Sequence, residues 1–117
     1  MSRNKNLGKK GEDMAADFLI KNGYHILERN WRSGHLEIDM IASHEQTLIF
    51  IEVKTRNTNK NGMPEESISE SKIRSVTTAA LKYLEGKNIL RIRFDVISIR
   101  LHTKPEPEIF HIRDAFY

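Results

Sequence analysis

Four charged residues sit two apart inside two apolar runs. Glu37 and Asp39 lie in Leu36-Glu37-Ile38-Asp39-Met40-Ile41, and Glu52 and Lys54 in Phe50-Ile51-Glu52-Val53-Lys54. Side chains alternate along an extended strand, so each pair shares one face of its strand, with Ile38 and Met40 turned the other way. Only Ser43-His44-Glu45-Gln46 separates the runs, a length that suits a hairpin loop. A loop symmetric about Glu45 and Gln46 sets Asp39 opposite Glu52 and Glu37 opposite Lys54, with Cβ atoms about 5 Å apart. Like charges that close, at the border of a buried run, require a cation. Lys54 could supply it, and so could a divalent metal. Two carboxylates completed by water suit Mg²⁺ or Mn²⁺, and Mg²⁺ commonly shares such a site with phosphate oxygens. The chemistry open to that set is phosphodiester hydrolysis: the ion polarises the phosphate and activates water, and Lys54 orients that water and stabilises developing charge. The plainer alternative is an ion-pair network, with Lys54 bridging Glu37 and Glu52 at a sheet edge.

The rest of the chain must position these residues. Met14, Ala15, Phe18 and Leu19 have helical spacing within a helix expected from Gly8 to Asn22, with Gly23 placed to end it. Residues 1–7 read as a flexible basic arm. Strands are expected at Tyr24 to Arg32, Leu36 to Ala42 and Thr47 to Val53. Asn57 to Pro64 is turn-rich, the kind of loop that often touches ligands. Ser67 and Glu70 form a capping-box pattern ahead of the stripe Ile73, Val76, Ala80 and Leu84, so a second helix should run to about Glu85. A long strand follows from Ile89 to Leu101, with a centre apolar on both parities that suits a sheet covered on both sides. After Lys104-Pro105-Glu106-Pro107 comes a short strand, Glu108 to Ile112. The order is α-β-β-β-α-β-β. The first three strands are linked tightly enough for an antiparallel meander, and the second helix provides a parallel crossover.

Composition narrows the function classes. A chain of 117 residues is one domain's worth, and 38% apolar with 30% charged residues is enough to close one core. The absence of cysteine excludes disulfides, zinc-cysteine knuckles, iron–sulfur clusters and thiol nucleophiles. No apolar run approaches the roughly 18 residues of a spanning helix, and Met1-Ser2-Arg3-Asn4-Lys5 leads into no signal-peptide core, so a cytoplasmic protein without a membrane role is expected. The net charge is only +3, but it is clustered. Arg3, Lys5, Lys9 and Lys10 have no acid among the first ten residues, and Lys82 to Lys104 holds six basic residues against Glu85 and Asp95. Such clusters fit a polyanion partner, and equally a solvated surface.

An acid, a strand turn, then Glu-x-Lys on the next strand, with helices on either side, resembles the PD-(D/E)xK nuclease pattern. Within it the chain is most similar to the YraN-like family of small bacterial proteins. The matching stretches are Gly8-Lys9-Lys10-Gly11-Glu12 with Ala15 and Ala16, Gly23-Tyr24, Glu28-Arg29-Asn30, Glu37-Ile38-Asp39, Phe50-Ile51-Glu52-Val53-Lys54-Thr55-Arg56, Lys72, and Phe94-Asp95-Val96-Ile97. They span nearly the whole chain. Ile38 stands where the signature has proline, and Leu36 where many relatives have glycine. The resemblance implies a restriction-endonuclease-like (Holliday-junction-resolvase-like) three-layer α/β fold with a mixed central sheet flanked by helices. It implies Asp39 and Glu52 as metal carboxylates, with Glu37 a further candidate ligand, Lys54 as the catalytic lysine and Glu12 as an additional acid. It also implies Mg²⁺ or Mn²⁺, a nucleic-acid substrate with DNA favoured over RNA, and a homodimer in DNA repair or recombination. The competing readings are a non-catalytic nucleic-acid-binding module and an interaction protein whose acids are merely ion-paired.

Neighbouring residues complete the expectations. Arg56 continues the parity of Glu52 and Lys54, Lys72 lies in the first turn of the second helix, and with Lys9 and Lys10 they are the candidate nucleic-acid contacts. His35 alternates with Glu37 and Asp39, but one strand cannot surround a metal. His25, His44, His102 and His111 read as surface or strand-end residues. Tyr24 and Trp31 could stack on bases, although aromatics bracketing a strand are more often core. Asp95, in an apolar strand, should pair structurally rather than catalyse.

Overall fold

The computed structural model describes residues 2–56, 68–101 and 106–116. Helix α1 spans Ser2–Lys21, so it begins six residues before Gly8 and takes in residues 2–7, where a basic arm was expected. The Arg, Lys and Leu residues of that run are good helix formers, and Gly8 only weakens the helix without breaking it. The helix ends as expected: Gly23, at φ 87, lets its own N–H reach the Ile20 carbonyl at 3.1 Å and the Tyr24 N–H reach Leu19 at 2.9 Å, a Schellman cap.

Strands β1 (His25–Ser33), β2 (Leu36–His44) and β3 (Thr47–Arg56) form the antiparallel meander. Glu45 and Gln46 take φ of 49° and 67° between the paired residues His44 and Thr47, a mirror-image two-residue turn that sets the register. Helix α2 (Glu70–Leu84) then carries the chain to β4 (Ile92–Arg100), which lies parallel to β3, and β5 (Glu108–Ile112) adds antiparallel to β4. The cap of α2 is Ser69, whose hydroxyl accepts the Lys72 N–H at 3.1 Å. The Ser67 cap expected from the sequence lies outside the described residues.

The sheet has the order β1-β2-β3-β4-β5 and a helix on each face, which makes a three-layer restriction-endonuclease-like α/β fold. Ala15 and Leu19 of α1 pack on Met40, Ala42, Ile49, Ile51, Ile97 and Ile99. Val76, Ala79, Ala80 and Tyr83 of α2 pack on Ile38, Ile41, Leu48, Phe50 and Phe94. Tyr24 is buried, and Trp31 stands edge-on to Tyr83 at 5.3 Å, so both aromatics serve the core.

Asp95 is fully buried, and its carboxylate is bound by Arg93 at 2.7 and 2.8 Å, His111 Nε2 at 2.7 Å and the Asp114 N–H at 3.0 Å. Burial alone would raise its pKa, but these partners outweigh burial and hold the carboxyl below its ordinary range. The structural role expected for Asp95 holds. His111 does stand near the end of β5, but its side chain turns inward to the Asp95 carboxylate and is only 8% exposed, so it is not a surface residue. His44 does end β2, stacked on Tyr24 with ring centroids 4.0 Å apart, and His25 is exposed. His102 lies outside the described residues.

Candidate active site

Pairing between β2 and β3 ends at Met40 and Ile51. Beyond that point β2 stays beside β1 as far as Leu36, while β3 stays beside β4 as far as Arg56. The sheet therefore opens between its second and third strands, and Asp39 and Glu52 are the first residues past the last pair. The paired residues keep the register the symmetric loop predicts as far as Met40 and Ile51, and past it the Asp39 charge acts on Glu52, while no pairing extends to Glu37 and Lys54. In place of a further ladder bond, Asp39 Oδ2 accepts the Val53 N–H at 2.8 Å.

Both acids are poorly compensated. Burial drives Glu52, 7% exposed, up to about 7, and the Asp39 charge adds to the shift. Burial likewise pushes Asp39 up to about 6, opposed by the Val53 N–H and reinforced by the charges of Glu12 and Glu37. One Glu52 oxygen, Oε2, lies 3.3 Å from the Lys72 ammonium, whereas the buried Oε1 has no hydrogen-bond partner. Lys72 sits in the first turn of α2, where the helix dipole disfavours a cation. Burial also works against its charge, yet Glu52, Asp39 and Glu37 together hold its pKa above the ordinary value. Lys72 is thus part of the carboxylate cluster.

Glu12 is half-buried on α1 and acts on Asp39 through its charge. Its approach depends on Gly11: a Cβ there would overlap the Thr55 side chain, so the helix can lie this close to β3 only on a glycine. Glu37 is half-exposed, 3.5 Å from Arg32. Ile38 and Met40 were expected on one face, but they pack on opposite sides of the sheet, so simple alternation fails at Asp39, while the Glu37 charge still acts on Asp39, Glu52 and Lys72. Lys54 lies half-buried two residues past Glu52, and Arg56 is exposed at the end of β3. Lys9 pairs with Asp13 at 3.5 Å, and Lys10 is exposed.

Beside Glu12 runs an open cleft of about 570 Å³, lined by Gly8, Lys9, Glu12, Arg29, Asn30 and Arg32. Sequence reasoning assigned no role to Arg29, Asn30 or Arg32. Asn30, a poor strand former in the middle of a strand run, was the available signal.

Among the described residues no three His, Asp or Glu side chains are arranged to hold a metal by themselves. The all-oxygen pair of Asp39 and Glu52, with one buried oxygen unpartnered, nonetheless fits a hard divalent cation that takes the rest of its shell from water and substrate.

Comparison with known proteins places the chain among bacterial relatives. A family model described as "Uncharacterised protein family UPF0102" matches residues 11–99. A UPF0102 protein of Rhodococcus jostii (strain RHA1) is 43% identical over 118 residues, covering 99% of this chain and 100% of its own. A UPF0102 protein of Flavobacterium psychrophilum is 42% identical, covering 100% and 98%. One of Geobacter sulfurreducens is 43% identical, covering 97% and 90%. The structure of Pyrococcus furiosus SfsA in complex with Ca²⁺ overlaps 94% of this chain and 63% of its own at 15% identity and a TM-score of 0.38, too loose a match to bear on function.

Proposed function

This chain belongs to the UPF0102 family, and we propose that it is a metal-dependent nuclease that hydrolyses phosphodiester bonds in nucleic acid, DNA in preference to RNA. The observation that carries the reading is the interacting pair Asp39 and Glu52 at the opening of the sheet, both raised in pKa, with Glu52 Oε1 buried and unpartnered. A structural ion-pair network would leave no such oxygen, since an uncompensated buried polar atom costs free energy.

Asp39 and Glu52 would hold Mg²⁺ or Mn²⁺. When bound, the ion supplies polarisation of a phosphoryl oxygen and acidifies a water. The remaining work belongs to the protein. The Val53 N–H fixes one Asp39 oxygen, leaving the other for the cation. Lys54, on the same strand two residues past Glu52, would orient water and stabilise charge on the phosphoryl oxygens. Lys72, 3.3 Å from Glu52 Oε2, neutralises part of the Glu52 charge and would be within the same cluster to meet a phosphate oxygen of the substrate. Glu12 provides an additional acid beside Asp39. Lys9, Lys10 and Arg56 hold the backbone of the substrate. A domain this small has little surface for reading a long sequence, so we favour selection by substrate shape, with a homodimer acting in the cytoplasm in repair or recombination.

Asp39→Asn keeps the side-chain volume and an acceptor for Val53 while removing the charge. It should reduce cleavage at least a hundredfold and leave binding to the same DNA unchanged or tighter, measured by mobility shift across a salt series. Cleavage by the variant at the parent rate would overturn the assignment. Salt-sensitive binding without cleavage by either protein would favour the non-catalytic binding module.

A further inference from the structure

Asn30 lies in the interior of β1 with φ 53, in the left-handed region; the other positive-φ non-glycine residues among the described ones, Glu45, Gln46 and Asp114, lie in turns. Extended residues ordinarily have φ near −120 to −140°. The β1–β2 pairs Arg29 with Met40 and Trp31 with Ile38 bracket Asn30, so it stands opposite Asp39. Both strands change sides at this step. Met40 packs in the cluster beneath α1, and Arg29 reaches Asp13 of α1 at 2.7 Å. One step further on, Trp31 and Ile38 pack in the cluster beneath α2. The pairing register across the step is unshifted, so no inserted residue accounts for the turnover. The same step is where β2 parts from β3 and where the Asp39 carboxylate reaches across to the Val53 N–H.

We infer that the left-handed backbone of Asn30 turns the β1–β2 ribbon over and so delivers the Asp39 carboxylate to β3. Asn30 is thus a positioning residue that acts through its backbone. Asparagine is among the few non-glycine residues that adopt this conformation readily, and a β-branched residue there is strongly disfavoured. The meaning of this geometry for catalysis rests on the reading of Asp39 as a metal carboxylate, while the geometry itself does not.

The test follows the Val53 amide by NMR, through its proton chemical shift and exchange rate, in the parent and in Asn30→Gly, Asn30→Ala and Asn30→Val. Asp39→Ala sets the values for an unbonded Val53. Glycine accepts the left-handed backbone without a side chain, so Asn30→Gly should match the parent. Asn30→Ala and Asn30→Val should move toward the Asp39→Ala values, with exchange about tenfold faster. The Tyr24 amide, bonded to Leu19 at the far end of α1, should stay unchanged in all of them and so separates local loss from general loosening. Should Asn30→Val fail to fold, Asn30→Ala decides. Asn30→Gly behaving like Asn30→Ala would assign the effect to the side-chain amide and overturn the inference. So would Asn30→Ala behaving like the parent, or a Val53 amide unmoved by Asp39→Ala. No catalytic activity enters the readout, so failure of the nuclease reading and failure of this inference are told apart.

Discussion

Burial raises the pKa of Asp39 and Glu52 in the folded state, and this makes stability depend on pH in a definite direction. Their folded values, about 6 and about 7, exceed the roughly 3.9 and 4.3 of unfolded carboxyls. Between about pH 4 and pH 7 the folded protein therefore binds more protons than the unfolded chain, and stability falls as pH rises through that window. Asp95 has the opposite sign: its lowered pKa contributes stability that is lost as pH falls through the folded value, below the ordinary carboxyl range. The thermal midpoint should accordingly be higher at pH 5 than at pH 8 in EDTA. Mn²⁺ should recover much of the difference at pH 8, and Glu52→Gln should flatten the profile. A midpoint that rises from pH 5 to pH 8, in parent and variant alike, would contradict the electrostatic account of the pair. The nearness of the two acids was legible in the sequence because a symmetric loop sets the register that brings Met40 beside Ile51, one residue short of them. That Lys72 could face the same cleft was open to the sequence, but its attachment to Glu52 in particular was not, because it depends on how α2 packs over β3.

At the scale of elements, the contact of α1 with β3 depends on one missing methyl. A Cβ at Gly11 would overlap Thr55, whereas one at Gly8 would meet nothing within 4 Å. Gly11→Ala should destabilise the protein by about 1–3 kcal/mol through overpacking, while Gly8→Ala should be neutral or stabilising by up to about 1 kcal/mol through helix propensity. Chemical denaturation of the two variants checks this, and equal midpoints would show that α1 does not lie tightly on β3. The hairpin between β2 and β3 was readable from its loop length, although its turn uses Glu45 and Gln46 where Asn-Gly would be usual. Element ends were less readable. Leu90 is 94% exposed, and β4 begins only at Ile92, so the apolar run at Ile89 extends past the strand it announces. The start of α1 was misplaced for the converse reason: charged residues with good helix propensity show no apolar period and look like an arm until a helix claims them.

The whole molecule is a mixed sheet between two helices that opens between its central strands, and the opening sets the carboxylate pair at the margin of two cores. Alternating polarity, the meander and the long crossover made the three layers legible, because each depends on spacing along the chain. The turnover of the β1–β2 ribbon at Asn30 and Asp39 did not follow from alternation, which assumes an even twist. Among the described residues no helix is long and apolar enough to cross a membrane. The central claim is that this architecture serves metal-dependent cleavage of nucleic acid. Its most direct test is to incubate the purified protein with Mn²⁺ or Mg²⁺ on single-stranded, duplex, flapped and four-way-junction DNA and RNA, beside Glu52→Ala prepared identically. The account predicts metal-dependent cutting, strongest on one DNA shape, that disappears in EDTA and in the variant. Cutting that survives in Glu52→Ala, or no cutting by either protein with either metal, would contradict it.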